Sequence, residues 1–496
     1  MAFIVMNNIN KTFNGVKALN DVSFSLNYGE ALCLAGQNGC GKSTLIKILS
    51  GVYQPDAGAE IQIGASQYSQ LNPVDAINKG IQVIYQDLAL FPNLTVAENI
   101  AIHAYHQFSW RHSQQQKQLA TQTLDSINAH IDVDALVENL PVAKQQLVAI
   151  CRALAQNAKL LIMDEPTASL TAKEVRDLLD VVMKLKSKGI SIIFISHKLN
   201  EVMTVSDNVL VLKDGNMVGK YPISEMDEKR LAFLMTGLMI ENQQIAYKDF
   251  SLFQPVFAVK GLTKAHQFQN IYFQLHAGEI IAITGLLGSG RTELCLSLFG
   301  IEQADSGEIW LDNKQVKFNS NRDAIQQGIA YVSEDRMDIG LMMEESIGNN
   351  IISTVFNQIA NKFGIISTSK SDAYIQQLIE QLKIKVADAN LPVNTLSGGN
   401  AQRVSIAKWL AIAPRIIILD SPTIGVDIAN KQGIFTIIRK LAKQGIAVIF
   451  VTDEISEAYY NSHKILVMKQ GKIVGEFIST QTTEKELEGV IYEQTK

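Results

Sequence analysis

The chain has 496 residues, with 44 Lys and Arg against 49 Asp and Glu and a formal net charge of −5. That length exceeds one ordinary domain, and the balance lacks the basic stripe that a nucleic-acid binder carries. No run of about 18 apolar residues is present, so any membrane role is expected to run through a partner. Four cysteines, Cys33, Cys40, Cys151 and Cys295, have neither zinc nor disulfide-framework spacing, which suits a reducing cytoplasm. Met1 to Met6 has no basic stretch and no cleavage pattern, so no signal peptide is expected.

In chain order, Phe3–Met6 and Val22–Leu26 read as strands around a turn at Asn14-Gly15. Ala31–Ala35 reads as a buried strand and Thr44–Leu49 as a helix. Between them, Gly36-Gln37-Asn38-Gly39-Cys40-Gly41-Lys42-Ser43 fits the phosphate-binding loop G-x-x-x-x-G-K-[ST]. Its glycines let the backbone approach a phosphate closely, and its N–H groups and the following helix start point at the anion. Lys42 is placed to reach the β- and γ-phosphates and Ser43 to ligate Mg²⁺, with Thr44 next in line. Short strands follow, the last expected over Ile81–Gln86, and residues 95–158 read as mainly helical. Leu160–Asp164 is an apolar run ending in an acid, as a buried parallel strand would be. A helix over about 172–188 and the strand Ser191–Ile195, followed by Ser196-His197, come next. A strand over Val209–Leu212 and a turn at Asp214-Gly215 end this half.

Residues 240–254 lose the pattern and read as a linker, and then the order restarts. Ile280–Thr284 leads into Gly285-Leu286-Leu287-Gly288-Ser289-Gly290-Arg291-Thr292, and Ile416–Asp420 repeats the acid-ended strand. Asp164 and Asp420, Pro141 and Ser397, and His197 and Asp453 are each 256 positions apart. Lys42 and Arg291 are 249 apart, and Gln86 and Glu334 are 248 apart. The second copy is therefore longer by about eight residues within its helical insert. Two tandem α/β domains follow, over 1–239 and 255–496.

An acid at the end of a strand, such as Asp164, can hold Mg²⁺, and the neighbouring Glu165 can position or deprotonate water. Gln86 could ligate Mg²⁺ and the water, and His197 could sense a γ-phosphate; each draws its weight from the set. Leu396-Ser397-Gly398-Gly399-Asn400 opens a helix over Ala401–Leu410, where hydroxyl, N–H groups and helix dipole together suit an anion.

These residues resemble the ATP-binding cassette (ABC) family over nearly the whole chain. Gly36–Ser43 matches its Walker A motif, Gln86 its Q-loop, Asp164 its Walker B acid, Glu165 its catalytic glutamate and His197 its switch histidine. Leu396–Asn400 matches the signature, and Phe13 stands where the family stacks an aromatic ring on adenine. The resemblance implies two P-loop ATPase domains, each with a RecA-like α/β core, an antiparallel β subdomain and a helical subdomain. It implies ATP and Mg²⁺ as cofactors, and cassettes that pair head to tail, Walker A against signature. One site would then combine Lys42, Ser43, Gln86, Asp164, Glu165 and His197 with Ser397, Gly398 and Gly399.

The other would combine Arg291, Thr292, Glu334, Asp420, Ser421 and Asp453 with Leu140-Pro141-Val142-Ala143-Lys144, nearly every catalytic part altered. Arg291 keeps the charge with a bulkier head, serine is no base at neutral pH, and Asp453 faces phosphate with an anion. Pro141 lacks hydroxyl and N–H. Gly285, Gly288, Gly290 and Thr292 remain as a nucleotide cradle that hydrolyses slowly or not at all.

The tandem fusion, Gly290-Arg291-Thr292-Glu293-Leu294 and Ser333-Glu334-Asp335-Arg336 are similar to the ATPase subunits of bacterial monosaccharide importers of ribose, galactose, xylose and galactofuranose type. That subgroup implies a cytoplasmic, peripheral position on the inner membrane, integral-membrane permease subunits (two copies), a periplasmic or extracellular sugar-binding protein, and no nucleic-acid partner. The alternative is a soluble tandem cassette acting on ribosomes or DNA. Such proteins usually keep two competent sites and carry a basic linker or zinc cysteines, none of which this chain has.

Overall fold

The computed structural model describes residues 2–102, 110–167, 170–196, 198–237, 239, 243–360 and 368–492. The chain divides into two compact units, Met1–Ile240 and Glu241–Lys496.

Among the described residues the first unit carries ten strands: β1 Ala2–Phe13, β2 Val16–Asn27, β3 Ala31–Ala35, β4 Glu60–Ile63, β5 Ser66–Tyr68, β6 Ile81–Ile84, β7 Leu160–Asp164, β8 Ser191–Ile195, β9 Asn208–Lys213 and β10 Asn216–Pro222. Their spatial order is β5-β4-β1-β2-β10-β9-β3-β8-β7-β6. One end is antiparallel: β1 pairs with β2 and β4, and β4 with β5. The other is a parallel core of β9, β3, β8, β7 and β6. A single bridge, Asn216 to Asn20, joins the two ends. Asn14 and Gly15 both take positive φ, 45° and 83°, as the two-residue β1–β2 hairpin requires.

Core strands buried on both faces must be apolar at every position. Leu160 and Ile162 of β7 join one hydrophobic cluster, while Leu161 and Met163 join the other. The second cluster is closed by the helices Val96–Ala101, Trp110–Ile127 and Val142–Ala155. Thr95 with Glu98 and Thr171 with Glu174 form capping boxes that start the helices Val96–Ala101 and Ala172–Ser187.

The second unit repeats this with β11 Phe257–Lys264, β12 Phe268–Leu275, β13 Ile280–Thr284, β14 Ser306–Leu311, β15 Lys314–Val316, β16 Ile329–Val332, β17 Ile416–Asp420, β18 Ala447–Thr452, β19 Lys464–Lys469 and β20 Lys472–Ile478. The antiparallel sheet is β12-β11-β14-β15 and the core sheet β16-β17-β18-β13-β19-β20. Each unit is thus an α/β core with an antiparallel sheet and a helical segment.

Two boundaries differ from the sequence expectation. The helix after the phosphate loop starts at Lys42, because Leu45 N–H already bonds Gly41 O at 2.9 Å. The strand expected over Ile81–Gln86 ends at Ile84, because its only ladder, with β7, runs out at Met163. Residues 243–254 lie against the second unit: Phe250 is buried, with its ring 5.9 Å from His276 and 5.1 Å from His463. All four cysteines are unpaired and buried. Among the described residues, no helix is long and apolar enough to cross a membrane.

Candidate functional site

Parallel strands place their carboxyl ends at one sheet edge, where ligands of open α/β sheets bind. β3 delivers Gly36–Ser43 to that edge, and β7 delivers Asp164 and Glu165. β8 stands between them, paired with both. The loop's path depends on glycine. A Cβ at Gly36 would lie 2.4 Å from Leu212 O, and Gly41 has φ 103° with Ala18 O only 2.6 Å from where its Cβ would be. The second loop keeps both constraints: a Cβ at Gly285 would meet Met468 O at 2.0 Å, and Gly290 has φ 92°.

Lys42 turns back over its own loop, donating to Gly36 O at 2.8 Å and to Gln37 O at 2.9 Å. Its ammonium is therefore held among the loop carbonyls, close to where loop N–H groups would meet a phosphate. Ser43 is exposed in the first turn of the helix. Asp164 is half-buried; burial and the adjacent Glu165 carboxylate push its carboxyl above the usual range, against the pull of Lys42 and Lys47. Glu165 has φ 47°, a left-handed bend that a non-glycine residue adopts only when held. The hold is Glu165 N–H on Ile195 O at 3.0 Å, at the end of β8.

Gln86 is exposed two residues beyond β6, at the same sheet edge as Asp164, since Ile84 pairs with Met163. Phe13 ends β1, partly exposed and edge-on to Tyr53 at 5.2 Å, with Lys11 Nζ 5.2 Å from its centroid. Gln37, Asn38 and Gly39 form the loop crest, and Cys40 N–H closes it onto Gln37 O at 3.2 Å. Burial pushes the Cys40 thiol up against the pull of Lys42, so it is a packing group rather than a thiolate. Thr44 lies within the helix. His197 lies outside the described residues.

Oxygen donors from a hydroxyl (Ser43), a carboxylate (Asp164) and an amide (Gln86) are the set a hard divalent cation such as Mg²⁺ takes. Among the described residues, no cluster of three His, Cys, Asp or Glu offers a softer metal site.

The second unit sets different side chains on the same backbone. Ser421 repeats the bend of Glu165, with φ 45° and its N–H on Val451 O at 3.1 Å. Arg291 does not fold over its loop. It is 8% exposed, and Nη1 donates to Thr452 O at 2.6 Å, at the end of β18. Asp420 is fully buried, accepts from Tyr331 Oη at 3.0 Å on Oδ2, and has no partner for Oδ1. Burial raises its carboxyl above the usual range despite Tyr331. Glu334 is raised by burial and by Asp420, with Arg291 pulling down. Thr292 follows Arg291 into the helix Arg291–Leu298, half-exposed. Gly288 lies at the exposed crest.

Ser397 stands at the N-cap of the helix Gly398–Leu410; its hydroxyl makes no cap bond to the backbone and accepts from Asn400 Nδ2 at 3.1 Å. A Cβ at Gly399 would overlap the Asn430 side chain at 2.4 Å, so glycine is required there for packing as well. At the corresponding start in the first unit, Pro141 caps the helix Val142–Ala155 with no side-chain hydrogen bond.

One feature escaped the sequence reading. Glu201, buried in the helix Leu199–Val205, accepts from Thr167 Oγ1 at 2.8 Å and Ser196 Oγ at 2.7 Å, tying the segment after Glu165 to the end of β8. Glu457 does the same for Thr423 Oγ1 at 2.8 Å and Thr452 Oγ1 at 2.6 Å. The signal was present: all three residues recur 256 positions later with hydroxyl or carboxyl kept.

Comparison with known proteins agrees with this duplication. The family described as "ABC transporter" matches residues 19–168 and again 268–424. The ribose import ATP-binding protein RbsA of Caldanaerobacter subterraneus is 38% identical over 487 residues, 97% of this chain and 97% of that protein. RbsA of Halalkalibacterium halodurans is 39% identical over 478 residues, 95% of this chain and 94% of that one. RbsA of Bacillus subtilis is 36% identical over 486 residues, 98% of each. Among solved structures, a nucleotide-free ATP-binding cassette from an ABC transporter aligns over 47% of this chain and 98% of its own, with 27% identity and TM-score 0.41.

Proposed function

Since the chain belongs to the ABC transporter family, as an ATPase built of two cassettes, we propose that it is the energy-coupling subunit of a monosaccharide importer. Its full-length relatives named for ribose import support the substrate class. The partners are membrane permease subunits, two by family analogy, and a binding protein outside the membrane. The subunit itself sits peripherally on the cytoplasmic face. Soluble action on ribosomes or DNA is not favoured, given those relatives and a net charge of −5.

We further propose that hydrolysis runs through one site. It uses Lys42, Ser43, Gln86, Asp164, Glu165 and His197 of the first cassette with Ser397, Gly398 and Gly399 of the second. The observation that carries this is one backbone bend with two side chains: Glu165 in the first cassette, Ser421 in the second. In this reading Gly36–Thr44 wraps the phosphates, Phe13 stacks on the base, and Lys42 leaves the loop carbonyls for the γ-phosphate. Glu165 orients the attacking water and accepts its proton. Ser43, Asp164 and Gln86 would hold Mg²⁺, which when bound neutralises phosphate charge. Gly285, Gly288, Gly290, Arg291 and Thr292 cradle a second nucleotide without efficient turnover.

The test is ATP hydrolysis by the complex in liposomes, with the binding protein loaded in turn with pentoses, hexoses and polyols. Stimulation by one monosaccharide is expected. Turnover indifferent to every sugar, or raised by ribosomes instead, overturns the importer reading.

A further inference from the structure

Arg336 closes the run Ser333-Glu334-Asp335-Arg336, and the chemistry above does not use it. Its partners all come from segments distant in sequence. Nη1 donates to Ile424 O at 2.9 Å and to Gln402 Oε1 at 3.3 Å, and Nη2 donates to Gly425 O at 3.4 Å. Ile424 and Gly425 lie in the turn after β17, while Gln402 lies near the start of the helix Gly398–Leu410. A Cβ at Gly398 would meet Arg336 Nη2 at 3.1 Å and Gly425 O at 3.3 Å. The guanidinium therefore passes directly against the first residue of that helix.

The segment carrying Arg336 is tied at its far end too. Asp335 Oδ1 accepts from Met337 N–H at 3.1 Å and Asp338 N–H at 2.9 Å, which folds Arg336–Gly340 into a wide turn. Lys408 Nζ donates to Gly340 O at 2.9 Å. Gln402 and Lys408 are roughly 9 Å apart along one helix, so the wide turn lies along it and is fastened at both ends.

Among its described residues, the first cassette has only one of these ties. Arg152, at the Lys408 position, donates to Ala89 O at 2.8 Å and Leu88 O at 3.0 Å. Leu88 stands at the Arg336 position and carries no donor. Gln146, at the Gln402 position, donates to Pro166 O at 2.8 Å instead. The extra brace thus belongs to the cassette whose helix start carries Ser397-Gly398-Gly399.

We propose that Arg336 is a positioning residue for the hydrolytic site: its guanidinium locks the Ser397–Gly399 turn against Ile424–Gly425, so that the signature is presented in one orientation. This rests on the reading that Ser397–Gly399 completes the ATP site of the first cassette. A planar fork with five donors reaches acceptors on both segments at once, which a lysine ammonium cannot reproduce.

The test uses the full transporter complex and measures kcat and KM for ATP. Arg336→Ala is expected to raise KM about tenfold and to lower kcat severalfold, in keeping with the loss of charge-assisted hydrogen bonds. Arg336→Lys recovers little. Because Arg336 is only half-buried, millimolar guanidinium chloride should restore part of the Arg336→Ala rate, while equal sodium chloride should not. Arg336→Leu, carrying the first cassette's residue, should behave as Arg336→Ala. Unchanged KM and kcat in Arg336→Ala overturn the proposal. So does a loss that guanidinium does not relieve and that follows a lowered melting temperature. Ser397→Arg separates the two readings. If it abolishes turnover while Arg336→Ala changes nothing, the brace alone fails; if it leaves turnover intact, the site reading fails.

Discussion

Glu165 and Ser421 occupy the same left-handed bend, held by the same hydrogen bond to the neighbouring strand, and only one of them can take a proton from water. Around that bend the two cassettes diverge in side chains and their placement rather than in backbone path. In the first, Lys42 lies over its loop and Asp164 is half-exposed. In the second, Arg291 reaches away to Thr452 O and Asp420 is sealed beneath Tyr331. The backbone hold persists where serine replaces glutamate, and so does the carboxylate tie, Glu201 in one half and Glu457 in the other. The bend and the tie thus recur without the carboxylate; the proposed division is that the fold needs the bend and the tie, whereas turnover needs the side chains replaced in the second half.

The sharpest way to break this comparison is to remove Glu165. In the complex, Glu165→Gln should lower steady-state ATP hydrolysis by roughly 10²–10⁴-fold, the usual cost of losing a general base. Ser421→Ala should leave the rate within about twofold, since no proton transfer depends on it. Equal losses from both substitutions would mean that the two sites share the work.

How much of this was legible depended on distance along the chain. Gly36–Ser43 and Leu396–Asn400 could be read because each is a contiguous run that leads into a local helix start. The acid-ended strands could be read because burial on both faces leaves an unbroken apolar run. Tyr331 could not: it interrupts Ile329–Val332 as one aromatic among apolar neighbours, and its hydroxyl matters only because β16 pairs with β17 and brings it to Asp420, 89 positions away. Arg336 was legible as part of a motif but not as a brace, because its acceptors lie 66 to 89 positions on. The end of β6 was misplaced by two residues because pairing with β7, rather than β-propensity, decides where it stops.

A smaller effect is expected from the seal over Asp420. Val83 stands in β6 at the Tyr331 position, and Asp164 keeps partial exposure without a phenol. Tyr331→Phe removes the phenol hydrogen bond to Asp420 Oδ2. Losing a hydrogen bond to a buried charged group costs about 1.5–3 kcal/mol. The second cassette should therefore melt about 5 °C lower, with ATP turnover nearly unchanged. A large loss of turnover at an unchanged melting temperature would place Asp420 in the chemistry and remove the asymmetry.

The smallest effect separates the cassettes by pH. In the first, Asp207 Oδ2 accepts from Ala31 N–H at 2.9 Å, where β3 begins; at the same place in the second, His463 Nδ1 accepts from Ile280 N–H at 3.0 Å. Burial, together with Lys248, pushes the His463 imidazole down from the usual 6.5 to about 4. The Phe250 ring lies edge-on to it at 5.1 Å and stacks on His276 at 5.9 Å. Between those two pH values the unfolded chain binds a proton that the folded chain does not. Stability from this group is thus full above about pH 6.5 and drains away as pH falls toward about 4. With partial solvent screening the loss at pH 5 is of order 1 kcal/mol, or about 2–4 °C in the melting of the second cassette. His463→Asn offers an acceptor that does not titrate, so this acid-induced shift should vanish while the melting temperature at pH 7.5 stays close to that of the parent. If the asparagine variant lost stability between pH 7 and 5 as steeply as the parent, the sensitivity would have to come from other carboxylates or histidines, and the replacement of Asp207 by His463 would make no difference between the two halves.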